Sequence, residues 1–203
     1  MIGWTAKKLL SELPTLSPSI TSVSLNTYAP SPVLAARLEN KDVVRSAPGR
    51  FVREALRHRG YVGPIVEMPV DQLRLALAGD PPSGEVRGFC SRVTLRGGEI
   101  AQLPLLDFQC EVRELNVDAI RVALELLGQR RGALLESGRS YHYYGYDPLN
   151  QKEWRQFMSR AVLLDPLVDI RYVAHCMIDD LACLRLDAQL AHPTEPVVVA
   201  QLG

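Results

Sequence analysis

Between residues 102 and 187, short apolar segments alternate with longer segments in which apolar residues recur every three or four positions. The short segments have the length and composition of buried strands, and the longer ones have the periodicity of amphipathic helices. We expect strands over 102–109, 132–136, 140–144 and 183–187, and helices over 116–127, 151–164 and 170–181. This alternation, with one hairpin in it, predicts an α/β or α+β fold in which helices cover a sheet.

Capping residues mark the ends of the first of these helices. Asn116 is the expected N-cap, and Gly128 the expected residue just beyond the C-terminus. The VVVA segment at 197–200 lies in a tail to which we assign no element.

The first hundred residues are less regular, because proline and serine interrupt them repeatedly. Period-two alternation and helical spacing predict elements here too, as strands over 20–28 and 85–94 and helices over 32–40 and 50–59. In the second helix, Arg50, Arg53 and Arg57 share one face. This basic face is either an ordinary solvated surface or a contact for nucleic-acid phosphates, and both interpretations stay open.

Composition bounds the class of protein. Of the 203 residues, 47% are hydrophobic and 23% charged, which is typical of a globular domain and excludes a disordered tail or a collagen-like rod. The 23 basic and 23 acidic residues balance, so net charge gives no argument for a nucleic-acid partner. No apolar run reaches the roughly 18 residues of a membrane span, and we expect a cytoplasmic protein. One compact domain is expected over 1–203, with an N-terminal lobe over 1–99 and a core over 100–190.

The cysteines give no sign of a metal site. Cys90, Cys110, Cys176 and Cys183 show no C-x-x-C spacing, and His175 beside Cys176 does not make a zinc-knuckle arrangement. We therefore expect all four to be reduced and to behave as small hydrophobic side chains.

Polar residues interrupt the apolar segments at three places, where burying an unpaired charge would be costly. Asp107 ends the apolar segment LPLLD, where open sheets tend to bind ligands, although a carboxylate that caps a turn is as common there. Asp169 follows an apolar pair directly before a predicted helix, and as an N-cap it would need no further role.

The third interruption is a glycine turn. In ESGRSYH, residues 136–142, Gly138 is followed by Arg139, Ser140 and His142, and the last two lie on one face of a strand. With the backbone N–H groups of the turn, these donors suit a triphosphate. A polar hairpin with a half-buried histidine is the alternative. A hydrolase that uses Ser140 or Ser137 with His142 is disfavoured, because the G-x-S-x-G elbow is absent and the two side chains would point in parallel.

Taken together, LLDFQC, SGRSYH and LVD resemble, in order and spacing, the three motifs of the archaeo-eukaryotic primase superfamily, which includes primase-polymerases. The chain resembles the small primase 1D-like branch of that superfamily, over about residues 100–190. The resemblance implies a sheet related to the RNA-recognition motif, packed against an N-terminal α/β lobe. It also implies transfer of a nucleotidyl group from an NTP or dNTP to a nucleic-acid 3′ hydroxyl.

The resemblance assigns a role to each of these residues. Asp107 and Asp169 would be the catalytic metal ligands for Mg²⁺ or Mn²⁺, and Gly138, Arg139, Ser140 and His142 would contact the phosphates of the nucleotide. Arg50, Arg53 and Arg57 become candidate contacts to template phosphates.

One position departs from the family pattern. Gln109 stands where the family has a second carboxylate in its first motif, and a neutral amide would bridge two magnesium ions poorly. Glu111 and Glu136 are the candidate substitutes in the sequence. A module that binds nucleotide or nucleic acid without catalysis is therefore the alternative function.

Overall fold

The computed structural model describes residues 1–29, 63–82, 84–189 and 192–203. The strands are β1 (Ile20–Tyr28), β2 (Ile65–Pro69), β3 (Val86–Leu95), β4 (Ile100–Gln102), β5 (Leu105–Asp107), β6 (Gly132–Glu136), β7 (Tyr141–Gly145), β8 (Cys183–Arg185) and β9 (Val197–Leu202). The α-helices are α1 (Ala6–Ser11), α2 (Leu13–Leu16), α3 (Leu73–Ala76), α4 (Glu114–Leu126), α5 (Gln151–Ala161) and α6 (Ile170–Asp179), with 3₁₀ turns at Val70–Gln72 and Val162–Leu164. The predicted helices at 32–40 and 50–59, and with them Arg50, Arg53 and Arg57, lie outside the described residues.

The strands form two sheets. The first sheet has the order β2-β1-β3-β4, and β8 also pairs with β3; the second sheet has the order β5-β7-β6-β9. Every pairing between described strands is antiparallel. The two sheets approach each other where β5 lies beside β8. With helices packed against these sheets, the predicted α+β class is confirmed.

Helix α5 buries an apolar face against the core. In α5, Trp154, Phe157 and Met158 are buried in the core. Asn150 begins this helix with a capping box, because its side chain accepts the amide of Glu153 while the Glu153 carboxylate accepts the amide of Asn150. In the described part of the chain, no helix is both long and apolar enough to cross a bilayer.

Most predicted elements are confirmed, and the differences have local causes. The strands at 20–28 and 132–136 have the predicted bounds. The strand expected over 102–109 is broken at Pro104, which has no N–H group and whose carbonyl accepts the amide of Gly145. Gly128 follows the end of α4 at φ +83°, as predicted.

The expected N-cap of α4 is wrong. The helix begins at Glu114, and Asn116 lies inside its first turn, with its side-chain amide donating to the carbonyl of Glu111. The asparagine satisfies a backbone acceptor before the helix rather than an amide within it.

The expectation of four reduced cysteines is also wrong. Cys90 on β3 and Cys183 on β8 are register partners with Cα atoms 4.1 Å apart, and they form a disulfide. The pairing of β3 with β8 brings them together across 93 residues of sequence, so their spacing gave no sign of it. Cys110 and Cys176 are thiols.

Candidate functional site

The antiparallel pairing of β5 and β7 places Asp107 directly opposite His142. Oδ1 of Asp107 lies 3.5 Å from Nε2 of His142. The Asp107 side chain is 29% exposed and that of His142 only 8%. Two of the three polar interruptions in the sequence therefore meet at the end of two neighbouring strands.

Asp169 joins this pair through the backbone. Its amide donates to the carbonyl of Asp107 at 3.0 Å, and Phe108 and Val168 form an isolated bridge beside this bond. Oδ1 of Asp169 accepts the amides of Arg171 and Tyr172 and so caps α6. The capping role is thus confirmed, and the same residue lies next to Asp107, with Oδ2 outside these two hydrogen bonds.

The site disfavours the charged form of Asp107. Burial raises the pKa of the Asp107 carboxyl well above its usual range, and the negative charge of Asp169 raises it further. The guanidinium of Arg185 and the amide of Phe108 oppose this rise. Two carboxylates close enough to affect each other in this way are stabilised by a cation between them.

His142 is held in its neutral form. Burial lowers the pKa of His142 to about 3, with further contributions from the positive charge of Arg185 and from His192. Its Nδ1 atom is buried and has no hydrogen-bond partner among the described residues. A buried polar nitrogen without a partner is uncommon and costs free energy.

The glycine turn joins β6 to β7 beside His142. Gly138 has φ +112°, a conformation that favours glycine, and the amide of Ser137 donates to the carbonyl of Ser140 at 2.8 Å. The hydroxyl oxygen of Ser140 is buried. Among the described residues its one hydrogen-bond partner is the thiol of Cys110, which forms only weak hydrogen bonds. Arg139 is exposed at the tip of the turn. The turn that carries the predicted phosphate donors thus leads directly into His142, the strand partner of Asp107.

Arg185 belongs to this site, although the sequence analysis did not select it. Its buried guanidinium donates to the carbonyls of Ser137, Asp187 and Thr194, and its charge acts on both Asp107 and His142. A signal was present, because Arg185 interrupts the apolar segment CLRLD as Asp107 interrupts LPLLD. Arg185 reaches the site only because its strand, β8, pairs with β3 and lies beside β5.

The side chain of Gln109 contacts a different residue. Its amide donates to Oδ1 of Asp165 at 3.3 Å. Of the two candidate substitutes, Glu111 forms an exposed ion pair with Arg113, whereas Glu136 ends β6 beside the glycine turn. In the structure, as in the sequence, a neutral amide therefore stands where the family motif has its second carboxylate.

The donor set decides which metal arrangement fits. Within residues 1–29, 63–82, 84–189 and 192–203, no cluster of three or more His, Cys, Asp or Glu side chains is arranged to hold a metal ion. Mg²⁺ in nucleotide sites is commonly held by one or two carboxylates, and the nucleotide's phosphates and water complete its coordination. Asp107 and Asp169 would supply such a pair of carboxylates for one ion. A second ion bridged by a motif-one carboxylate does not fit, because Gln109 replaces it.

The serine hydrolase arrangement is not assembled. The hydroxyl of Ser137 donates to the carbonyl of Ser140 at 3.2 Å, and neither serine bonds to His142 in the described structure. A nucleophile needs its base within hydrogen-bond reach.

Comparison with known protein families gives a match over the later part of the chain. A family model described as AEP-like, archaeo-eukaryotic primase 1D-like, matches residues 68–196, more than half of the chain and all three motifs. Neither a curated protein nor a solved structure matches the chain.

Proposed function

We propose that this chain, which belongs to the archaeo-eukaryotic primase 1D-like family, binds an NTP or dNTP with Mg²⁺ or Mn²⁺ and transfers its nucleotidyl group to a nucleic-acid 3′ hydroxyl. One observation carries the proposal. Asp107 and Asp169, 62 positions apart in sequence, are joined by a backbone hydrogen bond next to His142 and the glycine turn. Such a juxtaposition of carboxylates and phosphate donors supports a site for a metal-bound triphosphate.

The two halves of the site have separate roles. Asp107 and Asp169 would hold the cation, and their mutual repulsion, which contributes to the raised pKa of Asp107, would be relieved by its charge. The Ser140 hydroxyl, the His142 imidazole and the Arg139 guanidinium would donate to phosphate oxygens. His142 would do so as a neutral donor, because its pKa lies far below 7.

In the transfer step, the 3′ oxygen forms a bond to the α-phosphorus and the bond from that phosphorus to the bridging oxygen of pyrophosphate breaks. The proton of the 3′ hydroxyl passes to solvent, and pyrophosphate leaves with the electron pair. A bound divalent cation would neutralise charge on the phosphates. The donors of the glycine turn would hold the leaving phosphates, and the charge of Arg185 would add positive potential at the site.

A second function is favoured by Gln109. Its side chain bonds to Asp165 and supplies no charge at the position of the missing carboxylate. A site that keeps one cation and loses the second would bind a nucleotide yet catalyse transfer poorly. The alternative is thus a binding module of the same fold. The basic residues Arg50, Arg53 and Arg57 stay a predicted contact for nucleic acid in either case.

Two assays separate these functions. Binding of a fluorescent nucleoside triphosphate is measured with Mg²⁺ and with excess chelator, and primer extension is measured with Mg²⁺ or Mn²⁺. Asp107→Asn and Asp169→Asn remove a charge with little change of shape, and Asn at 169 still caps α6. Asp147→Asn is the matched control, because Asp147 forms an exposed pair with Arg131 elsewhere.

We expect metal-dependent binding that both site variants weaken at least tenfold and that the control leaves unchanged. Primer extension that follows the same pattern supports the enzyme. Binding without any extension supports the module. If the wild-type protein binds no nucleotide, or if all three variants bind it as well as the wild-type protein does, both the enzyme and the nucleotide-binding form of the module are wrong.

A further inference from the structure

His192 lies against the glycine turn, outside the three family motifs. It is held by a local pairing in which Gln189 and His192 exchange backbone hydrogen bonds of 2.8 and 2.9 Å. A Cβ atom placed on Gly138 would lie 3.6 Å from Nδ1 of His192 and 3.7 Å from Oγ1 of Thr194. The imidazole therefore faces the turn that the proposed function assigns to phosphates.

Unpartnered polar atoms gather at this turn. Nδ1 of His192 is buried without a hydrogen-bond partner in the part of the chain that the structure describes, and Nδ1 of His142 has the same status. Among the described residues, the hydroxyl of Ser140, two residues before His142, has only the thiol of Cys110 as a partner. Buried polar groups left in this state destabilise the folded protein. Their concentration at one turn points to a ligand that would satisfy them together.

The charge around the turn indicates the sign of that ligand. The guanidinium groups of Arg185 and Arg139 both act on His192, and with burial they lower its pKa, so His192 is a neutral donor. Among the described residues, the hydrogen bonds of Arg185 all go to carbonyl oxygens, and the carboxylates of Asp107 and Asp187 act on its charge without a hydrogen bond to it. Two cations and several neutral donors form a surface suited to an anion with many oxygens.

We infer that His192 is a phosphate-binding residue, whose Nδ1–H group donates to the terminal phosphate of the bound nucleoside triphosphate. The order of contacts supports the terminal position. Asp107, where the α-phosphate must react, contacts His142, and His192 is close enough to lower the pKa of His142. The triphosphate thus extends from the carboxylates past His142 to the Gly138 turn. This inference rests on the proposed function and adds a residue to the same site.

The test measures how affinity depends on the number of phosphates. His192→Ala removes the donor, and His192→Asn keeps an amide donor near the position of Nδ1. Gln189→Ala is the matched control, since it alters the other end of the same pairing. Dissociation constants are measured for the nucleoside tri-, di- and monophosphate with Mg²⁺, and for inorganic tripolyphosphate. Circular dichroism and thermal unfolding check that each variant folds.

A hydrogen bond to a charged group is worth about 1.5–3 kcal/mol, which corresponds to roughly 10- to 150-fold in affinity. We expect His192→Ala to weaken triphosphate and tripolyphosphate by at least tenfold and monophosphate by less than twofold. His192→Asn recovers most of the loss, and Gln189→Ala has no effect. An equal loss for all three nucleotides, or no loss for the triphosphate, overturns the inference.

The tripolyphosphate arm separates this inference from the proposed function. If the wild-type protein binds tripolyphosphate through His192 but discriminates against every nucleotide, the nucleotide function fails and the phosphate contact stands. If the wild-type protein binds nucleotide and His192→Ala changes nothing, the function stands and the contact is wrong. Absence of binding to any of these probes contradicts both.

Discussion

Acidification of the metal-free protein tests the electrostatics of the site through His142. The pKa of His142 is lowered to about 3 by burial, by Arg185 and by His192, whereas an unfolded histidine titrates near 6.5. The folded state therefore keeps His142 neutral over a range in which the unfolded state takes up a proton. The stability that this provides is fully present above pH 6.5 and is lost as the pH falls towards 3.

The size of the effect follows from the two pKa values. Each unit of pH between them shifts the free energy of unfolding by about 1.4 kcal/mol. Between pH 7 and pH 5, the His142 contribution falls by about 2 kcal/mol. Asp107 acts in the opposite direction, because a carboxyl with a raised pKa gains stability as the pH falls. A variant at His142 is therefore needed to separate the contribution of the histidine from that of Asp107.

His142→Gln provides that comparison, because glutamine does not titrate and keeps Asp107 in place. Urea denaturation with excess chelator gives the free energy of unfolding at pH 7 and pH 5 for both proteins. We expect the wild-type protein to lose about 2 kcal/mol more than the variant over this interval. Equal losses would refute the reasoning. If the variant does not fold, the NMR titration of the His142 ring in the wild-type protein replaces it, and a ring that titrates near pH 6.5 refutes the lowered pKa.

Three further predictions concern stability. Asp107→Asn should raise the Tm of the metal-free protein at pH 7, because it removes a charge that burial and Asp169 disfavour; an unchanged or lower Tm would contradict the assigned electrostatics. Asn26→Leu should raise the free energy of unfolding by about 1–3 kcal/mol, because both polar atoms of this fully buried amide lack partners among the described residues. Gly88→Ala should lower the free energy of unfolding, since the added Cβ would lie 2.2 Å from Oδ1 of Asn26. Asn26→Ala should then rescue the Gly88→Ala variant, in a double-mutant cycle measured by denaturation.

Secondary structure was predictable where the signal is local. The strand Ile20–Tyr28 follows from the period-two alternation of apolar and polar residues. The strand Gly132–Glu136 follows from a short apolar run with glycine and serine at its ends. The strands Ile65–Pro69 and Val197–Leu202 were not predicted. Each is an edge strand that depends on pairing with β1 or β6, and pairing partners are not encoded in a short window of sequence.

In the site too, the residues with a local sequence signal were predicted and the others were not. Asp107, His142 and Asp169 were found because each interrupts an apolar segment, and the structure brings them together. Arg185 reaches the site through the β3–β8 pairing, and His192 through its bridge with Gln189; no motif describes either. The division into an N-terminal lobe over 1–99 and a core over 100–190 stays a prediction, although β8 pairs with β3 across that boundary and the family match begins at residue 68.

The central claim is that Asp107 and Asp169 hold one divalent cation together with a nucleotide. Electron paramagnetic resonance measures it directly, because free Mn²⁺ gives a six-line signal that weakens when the ion binds. We predict that adding a nucleoside triphosphate to the protein depletes free Mn²⁺ beyond what the nucleotide does alone, and that Asp107→Asn and Asp169→Asn each abolish this extra depletion while Asp147→Asn preserves it. Depletion that is identical in the wild-type protein and in the Asp107→Asn and Asp169→Asn variants would contradict the account.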